Sequence, residues 1–124
     1  MRLCRSGDGY GNAETSVTGI ENIGGTLLYN DTLTGDNNAN KIYGYGGNDS
    51  LSGLGGVDTI FGDIGNDTIY TGTGIGDVAL GEGGTDTLYG NFDSDFLIGG
   101  IVSSTLIEDL DLDWINLTST TAGV

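Results

Sequence analysis

The residues of this chain best placed to do chemistry are its aspartates, because they recur at a fixed interval. Asp49, Asp58, Asp67, Asp77, Asp86 and Asp95 are nine residues apart, save for one step of ten between Asp67 and Asp77. Asp31 and Asn40 extend the column upstream and Ser104 extends it downstream. Carboxylates and backbone carbonyls are hard oxygen donors, the set that Ca²⁺ takes in six- to eightfold coordination. The chain has no histidine and a single cysteine, Cys4, so zinc and copper lack their usual ligands and no intramolecular disulfide can form. Mg²⁺ keeps several of its waters and is poorly suited to an all-protein cage. The missing histidine also excludes a zinc-protease motif or a Ser-His-Asp triad on this chain. Aspartates in this number would allow a paired-carboxylate glycosidase site, but the nine-residue phase already accounts for most of them. The expectation is a non-catalytic module.

Two further columns must position the first. Gly35, Gly44, Gly53, Gly62, Gly72, Gly81, Gly90 and Gly99 run five residues ahead of it, with the step of ten falling before Gly72. Leu33, Ile42, Leu51, Ile60, Ile69, Ala79, Leu88, Leu97 and Leu106 run two residues behind it. Glycine tolerates positive φ, so the stretch ending in aspartate is expected to wind into a tight turn. The residues that follow, "TIF" or "TIY", suit a very short strand whose central side chain points one way and its neighbours the other. The prediction is therefore all-β: a right-handed parallel β-roll with short caps, its nine-residue half-coils alternating between two parallel sheets around the aliphatic column. One aliphatic residue in nine makes a thin core. Asp49 stacked over Asp67, Asp58 over Asp77 and Asp67 over Asp86 would repel one another unless a cation lay between them.

Bulk composition agrees with this reading. At 124 residues the chain is one domain by size, with 25 glycines and no proline. Eighteen acidic residues face three basic ones, a net charge of −15, which disfavours nucleic acid and anionic membranes and favours cations as partners. No apolar run approaches membrane-spanning length, so no membrane insertion is expected. The start, "MRLCRSGDGYGN", has no apolar segment of the kind a cleaved signal peptide carries. The organisation reads as a lead-in over 1–25, repeats over 26–107 and a capping segment over 108–124. In that last segment Leu110, Leu112 and Trp114 alternate with Asp109, Asp111 and Asp113, a strand with one apolar face that reads as a cap over the open end of the roll. Sequons at Asn30, Asn48, Asn66 and Asn116 carry little weight, since three of them fall within the repeat consensus. The outward positions differ between the two sheets. One carries Thr32, Ser50, Thr68, Thr87 and Thr105; the other carries the apolar ladder Tyr43, Phe61, Leu80 and Ile98, which reads first as ordinary strand filler and otherwise as a face on which a parent-protein domain or a surface partner would dock.

The segments "GYGGNDSLS", "GLGGVDTIF" and "GEGGTDTLY" resemble the nonapeptide of the RTX family, the hemolysin-type calcium-binding repeat. The segment "GDIGNDTIY" is close to it, "GTGIGDVAL" and "GNFDSDFLI" are looser, and "GDNNANKIY" puts Asn40 in place of the aspartate. The resemblance implies a parallel β-roll with several calcium ions between adjacent turns, held by carboxylates and turn carbonyls. Carried onto this sequence, the ligands are Asp49, Asp58, Asp67 and Asp86, then Asp77 and Asp95, then Asn40 and Asp31. The turn positions that go with them are Gly44, Gly46, Gly53, Gly55, Gly62, Gly81 and Gly83. It also implies a secreted bacterial protein exported without an N-terminal signal, and folding coupled to calcium outside the cell. The alternative is a structural or adhesive spacer in which calcium only stiffens the roll and an exposed ladder does the binding.

Overall fold

Short β-branched triplets separated by glycine-rich turns leave the chain no room for anything longer than a three-residue strand. The computed structural model describes residue 19, residues 21–91 and 94–100, and the backbone of the strands 3–4, 14–16, 105–107 and 114–116. The strands are β1 (Leu3–Cys4), β2 (Glu14–Ser16), β3 (Asn22–Gly24), β4 (Thr32–Thr34), β5 (Lys41–Tyr43), β6 (Ser50–Ser52) and β7 (Thr59–Phe61). They continue as β8 (Thr68–Tyr70), β9 (Val78–Leu80), β10 (Thr87–Tyr89), β11 (Phe96–Ile98), β12 (Thr105–Ile107) and β13 (Trp114–Asn116). Odd strands form one sheet in the order β1-β3-β5-β7-β9-β11-β13, and even strands form the other from β2 to β12. The paired strands are parallel, each to the strand one full coil away; Lys41–Tyr43, for instance, pairs with Thr59–Phe61. This is the parallel β-roll expected from the sequence. The alternation seen from Leu110 to Trp114, the sequon at Asn116 and Ser104 belong to side chains outside the described residues.

The core is one column wide. Ile23, Leu33, Ile42, Leu51, Ile60, Ile69, Ala79, Leu88 and Leu97 have no exposed surface at all. Each is the centre of its triplet, and parallel register places like on like: Ile42 beside Ile60, Ile60 beside Ala79, Ala79 beside Leu97. Ile23 precedes the nonapeptide columns and is buried as fully as the rest.

The extra residue between Gly62 and Gly81 falls elsewhere than glycine alignment suggests. Six-residue turns occupy 44–49, 53–58 and 62–67, but the turn between β8 and β9 is 71–77. Thr71 therefore stands where the other turns begin with glycine, and Gly72 takes the second position. The contacts agree: the Thr71 carbonyl faces Gly53 as the Gly62 carbonyl faces Gly44. The hydrogen bonds carry this register, which counting glycines cannot see.

On the outer faces, the rings of Tyr43 and Phe61 stack at 4.9 Å and 3°, and those of Tyr70 and Tyr89 at 4.5 Å and 6°. Parallel in-register pairing makes such stacks nearly unavoidable wherever aromatics recur every 18 or 19 residues.

Because the core is a single file, one truncation should be felt by the coils on both sides. Ile60→Ala is expected to cost about 2–5 kcal/mol, read as a lowered midpoint of chemical denaturation in saturating calcium. A change below about 0.5 kcal/mol would mean that the column does not carry the fold.

Candidate metal centre

The aspartate that ends each turn points inward rather than into solvent. Asp49, Asp58 and Asp67 are 2%, 0% and 1% exposed, and Asp77, Asp86 and Asp95 are equally buried. One carboxylate oxygen, Oδ1, accepts the backbone N–H of the residue stacked one coil earlier. Asp31 N–H donates to Asp49 at 2.8 Å, Asn40 to Asp58 at 2.8 Å, and Asp49 to Asp67 at 2.7 Å. Asp58 donates to Asp77 at 2.7 Å, Asp67 to Asp86 at 2.9 Å, and Asp77 to Asp95 at 3.1 Å. Two ladders result, Asp31–Asp49–Asp67–Asp86 along one edge of the roll and Asn40–Asp58–Asp77–Asp95 along the other. Stacking thus meets the expected repulsion in part with amide donors, which the repeat spacing alone did not reveal.

The second oxygen differs. Oδ2 of Asp49, Asp58 and Asp67 is buried and accepts no hydrogen bond. Each lies against the bare α-carbon of the glycine that opens its own turn. A Cβ on Gly44 would press on Asp49 Oδ2 and sit 2.7 Å from the Gly62 carbonyl oxygen. A Cβ on Gly62 would likewise meet Asp67 Oδ2 and lie 2.8 Å from the Gly81 carbonyl. At Gly53 the pair is Asp58 Oδ2 and the Thr71 carbonyl, and at Gly81 it is Asp86 Oδ2 and the Gly99 carbonyl. Carboxylate and carbonyl oxygens converge at a place that only a missing side chain keeps open.

This corrects the expected role of that glycine column. Gly44, Gly53, Gly62 and Gly81 do not have positive φ; the left-handed positions are the next residue, Tyr45 at 73° or Leu54 at 76°, and the fourth, Gly47 at 126° or Gly65 at 146°. The opening glycine is required by close approach, not by backbone freedom. The other expected turn positions belong to an outer ladder. Gly46 N–H donates to the Thr26 carbonyl at 3.2 Å, Gly55 N–H to Asp36 at 3.1 Å and Gly83 N–H to Asp63 at 2.7 Å. The Gly83 carbonyl in turn accepts Gly65 N–H at 2.7 Å.

Burial decides the electrostatics. It pushes Asp49 up to about 7, with the charges of Asp67 and Asp31 adding to the rise. It pushes Asp58 and Asp67 up to about 6, with further repulsion from Asp36 on the first and from Asp86 and Asp63 on the second. Asp36 moves the other way, held below the usual range chiefly by the N–H groups of Gly19 and Asn38.

Sequence reasoning missed two further sets of polar contacts. Asn30 Oδ1 accepts Asn48 N–H at 2.7 Å, Asn48 Oδ1 accepts Asn66 N–H at 2.9 Å, and Asn66 Oδ1 accepts Thr85 N–H at 2.9 Å. The signal was present, since the sequon asparagines Asn30, Asn48 and Asn66 recur every 18 residues. The hydroxyls of Thr26 and Thr71 also reach carboxylates, Asp31 and Asp95 respectively, and no periodicity marks them.

Orphaned buried carboxylate oxygens with carbonyls converging on them fit a hard divalent cation. No three acidic, histidine or cysteine side chains cluster among the described residues, so main-chain carbonyls would have to complete the shell. Fold and site together define a parallel β-solenoid with acidic turns facing the bodies of their neighbours. Segments 27–60, 43–78 and 71–106 match the family model described as RTX calcium-binding nonapeptide repeat (4 copies), and the chain belongs to that family. No curated protein and no solved structure gave a match. No helix among the described residues is long and apolar enough to cross a membrane.

The raised pKa values give the metal-free fold a definite pH dependence. A carboxyl at 3.8 unfolded and about 6–7 folded stabilises the fold fully below the unfolded value, and that contribution is lost as pH rises through 6–7. In EGTA, the β-sheet circular dichroism signal is therefore expected to grow as pH is lowered from 8 to 4.5. Replacing Asp49, Asp58 and Asp67 by asparagine should flatten the curve. A wild-type signal that falls on acidification would contradict the assignment.

Proposed function

We propose that the chain is a calcium-binding module in which ion binding and folding are one event. The observation that carries this reading is the set of buried, unpartnered Oδ2 atoms of Asp49, Asp58 and Asp67. Leaving a buried carboxylate oxygen without a partner is costly, and ionised it costs more. When bound, Ca²⁺ supplies the positive charge that these oxygen-rich turns lack among their own groups. Asp49, Asp58 and Asp67 are the first ligands in this reading, Asp77 and Asp86 extend the two ladders, and the carbonyls of Gly62, Thr71 and Gly81 face the same places. Gly44, Gly53 and Gly62 act by omission, keeping side-chain atoms out.

The coupling follows from what the unfolded chain lacks. Each candidate site joins groups 18 residues apart, such as Asp49 and the Gly62–Asp67 turn, and these meet only when coils stack. A site that does not exist in the unfolded state turns binding free energy into folding free energy. The net charge of −15 opposes compaction without cations. Membership of the RTX family supports a secreted protein that meets calcium outside the cell, where binding modules work at about 10⁻⁴–10⁻³ M.

The test is far-UV circular dichroism at pH 7.5, titrating the chain from EGTA into millimolar Ca²⁺ with Mg²⁺ as control. A cooperative gain of β-signal with calcium alone is expected. Asp58→Asn and Asp67→Asn should each move the midpoint to higher calcium by about tenfold or more, the equivalent of about 1.4 kcal/mol. A chain already β-rich in EGTA and indifferent to calcium would refute the coupling.

A further inference from the structure

Among the described residues, the two seven-residue turns, 25–31 and 71–77, are also the two that supply a threonine hydroxyl to a buried carboxylate. Turn 71–77 opens with Thr71 in place of glycine, and the side chain is fully buried. Its Oγ1 donates to Asp95 Oδ2 at 2.8 Å across the coil boundary. Asn91 N–H reaches the same oxygen at 3.3 Å, and Asp77 N–H holds Oδ1 at 3.1 Å. Both oxygens of Asp95 are thus supplied with protein donors. In turn 25–31 the Thr26 hydroxyl donates to Asp31 Oδ2 at 2.9 Å, with Thr26 N–H on the same oxygen. The regular turns 44–49, 53–58 and 62–67 have no such hydroxyl, and there Oδ2 of the aspartate accepts nothing.

Steric and electronic features point the same way. A real Cβ at Thr71 occupies the volume that glycine leaves vacant at Gly44, Gly53 and Gly62. In this longer turn Asp77 Oδ1 lies 2.6 Å from where a Cβ on Gly74 would be. A hydroxyl donor satisfies a lone pair without bringing charge, so it closes the carboxylate locally and asks for no cation.

We propose that Thr71 replaces a calcium ion at its rung: its hydroxyl closes Asp95, this position takes no cation, and calcium is confined to the unclosed rungs of Asp49, Asp58 and Asp67 and their stacked neighbours. At Asp31 the Thr26 hydroxyl closes the carboxylate of its own turn, here beside an opening glycine, Gly25. Asp31 and Asp95 are therefore metal-free positions on either side of a metal-holding stretch, and the described repeats take fewer ions than their aspartate count suggests. This rests on the calcium reading above.

The experiment is calcium stoichiometry by isothermal titration calorimetry on the full chain, with folding followed by circular dichroism. Asp95→Asn should leave the number of bound ions unchanged, because Asp95 is not a ligand. Thr71→Ser, which keeps the hydroxyl, should also leave it unchanged. Thr71→Gly removes both the hydroxyl and the obstructing Cβ, and should add one ion per chain. Loss of one ion in Asp95→Asn would overturn the proposal, as would an unchanged count in a folded Thr71→Gly chain. If the wild type takes up no calcium, the calcium reading fails and the proposal with it. If the wild type binds calcium and only the Asp95 or Thr71 results go wrong, this proposal alone fails. Should Thr71→Gly not fold, Asp95→Asn still decides.

Discussion

A carboxylate removed from water must be met by a donor, a proton or a cation, and in this protein the repeat makes that demand at every turn. In-register stacking places chemically identical residues one above another, so a single acidic position becomes a column of like charges. The backbone answers half of the demand: from Asp49 to Asp95, Oδ1 takes the N–H of the aspartate or asparagine one coil before. The other oxygen is left over in the central turns. That remainder goes with the bare glycines beside it and the raised pKa values, and it is what fits a divalent ion.

The core explains why the remainder matters. A file of single aliphatic side chains, Ile23 to Leu97, is enough to set register but buries little for its length. Hydrogen bonds between coils are numerous, yet each is worth only about 1 kcal/mol net. The turns make up most of each coil and contain most of the glycine, whose ordering is entropically expensive. Stability must therefore be gained in the turns, where the oxygens are. Secondary ladders help from the outside: Asn30, Asn48 and Asn66 tie one edge, and stacked rings tie both faces.

The fold was largely legible because period and register are the same thing in a solenoid. The aliphatic column predicted the buried residues from Leu33 to Leu97, and the triplets predicted the strands. The aspartate column picked out the buried acids other than Asp36. What sequence could not supply was direction and partnership. Nothing in the spacing says that Asp49 turns inward to accept Asp31 N–H, or that Gly44 is needed for closeness rather than for positive φ. The insertion shows the same limit. Counting glycines moved it to the wrong side of Thr71, because only the hydrogen bonds of neighbouring coils reveal that a threonine can stand in a glycine column. Ile23 escaped because the turn that follows it, 25–31, is also one residue longer than the regular six, which breaks the phase before the core ends.

The most direct test of the account is to locate the cations themselves. Crystals grown in millimolar calcium, with diffraction measured to favour the anomalous signal of calcium, would show where positive charge enters the roll. The account predicts anomalous peaks about 2.3–2.6 Å from the Asp49, Asp58 and Asp67 carboxylate oxygens, between turns on both edges. An ordered roll with those oxygens bare, or with calcium only on surface carboxylates, would contradict it.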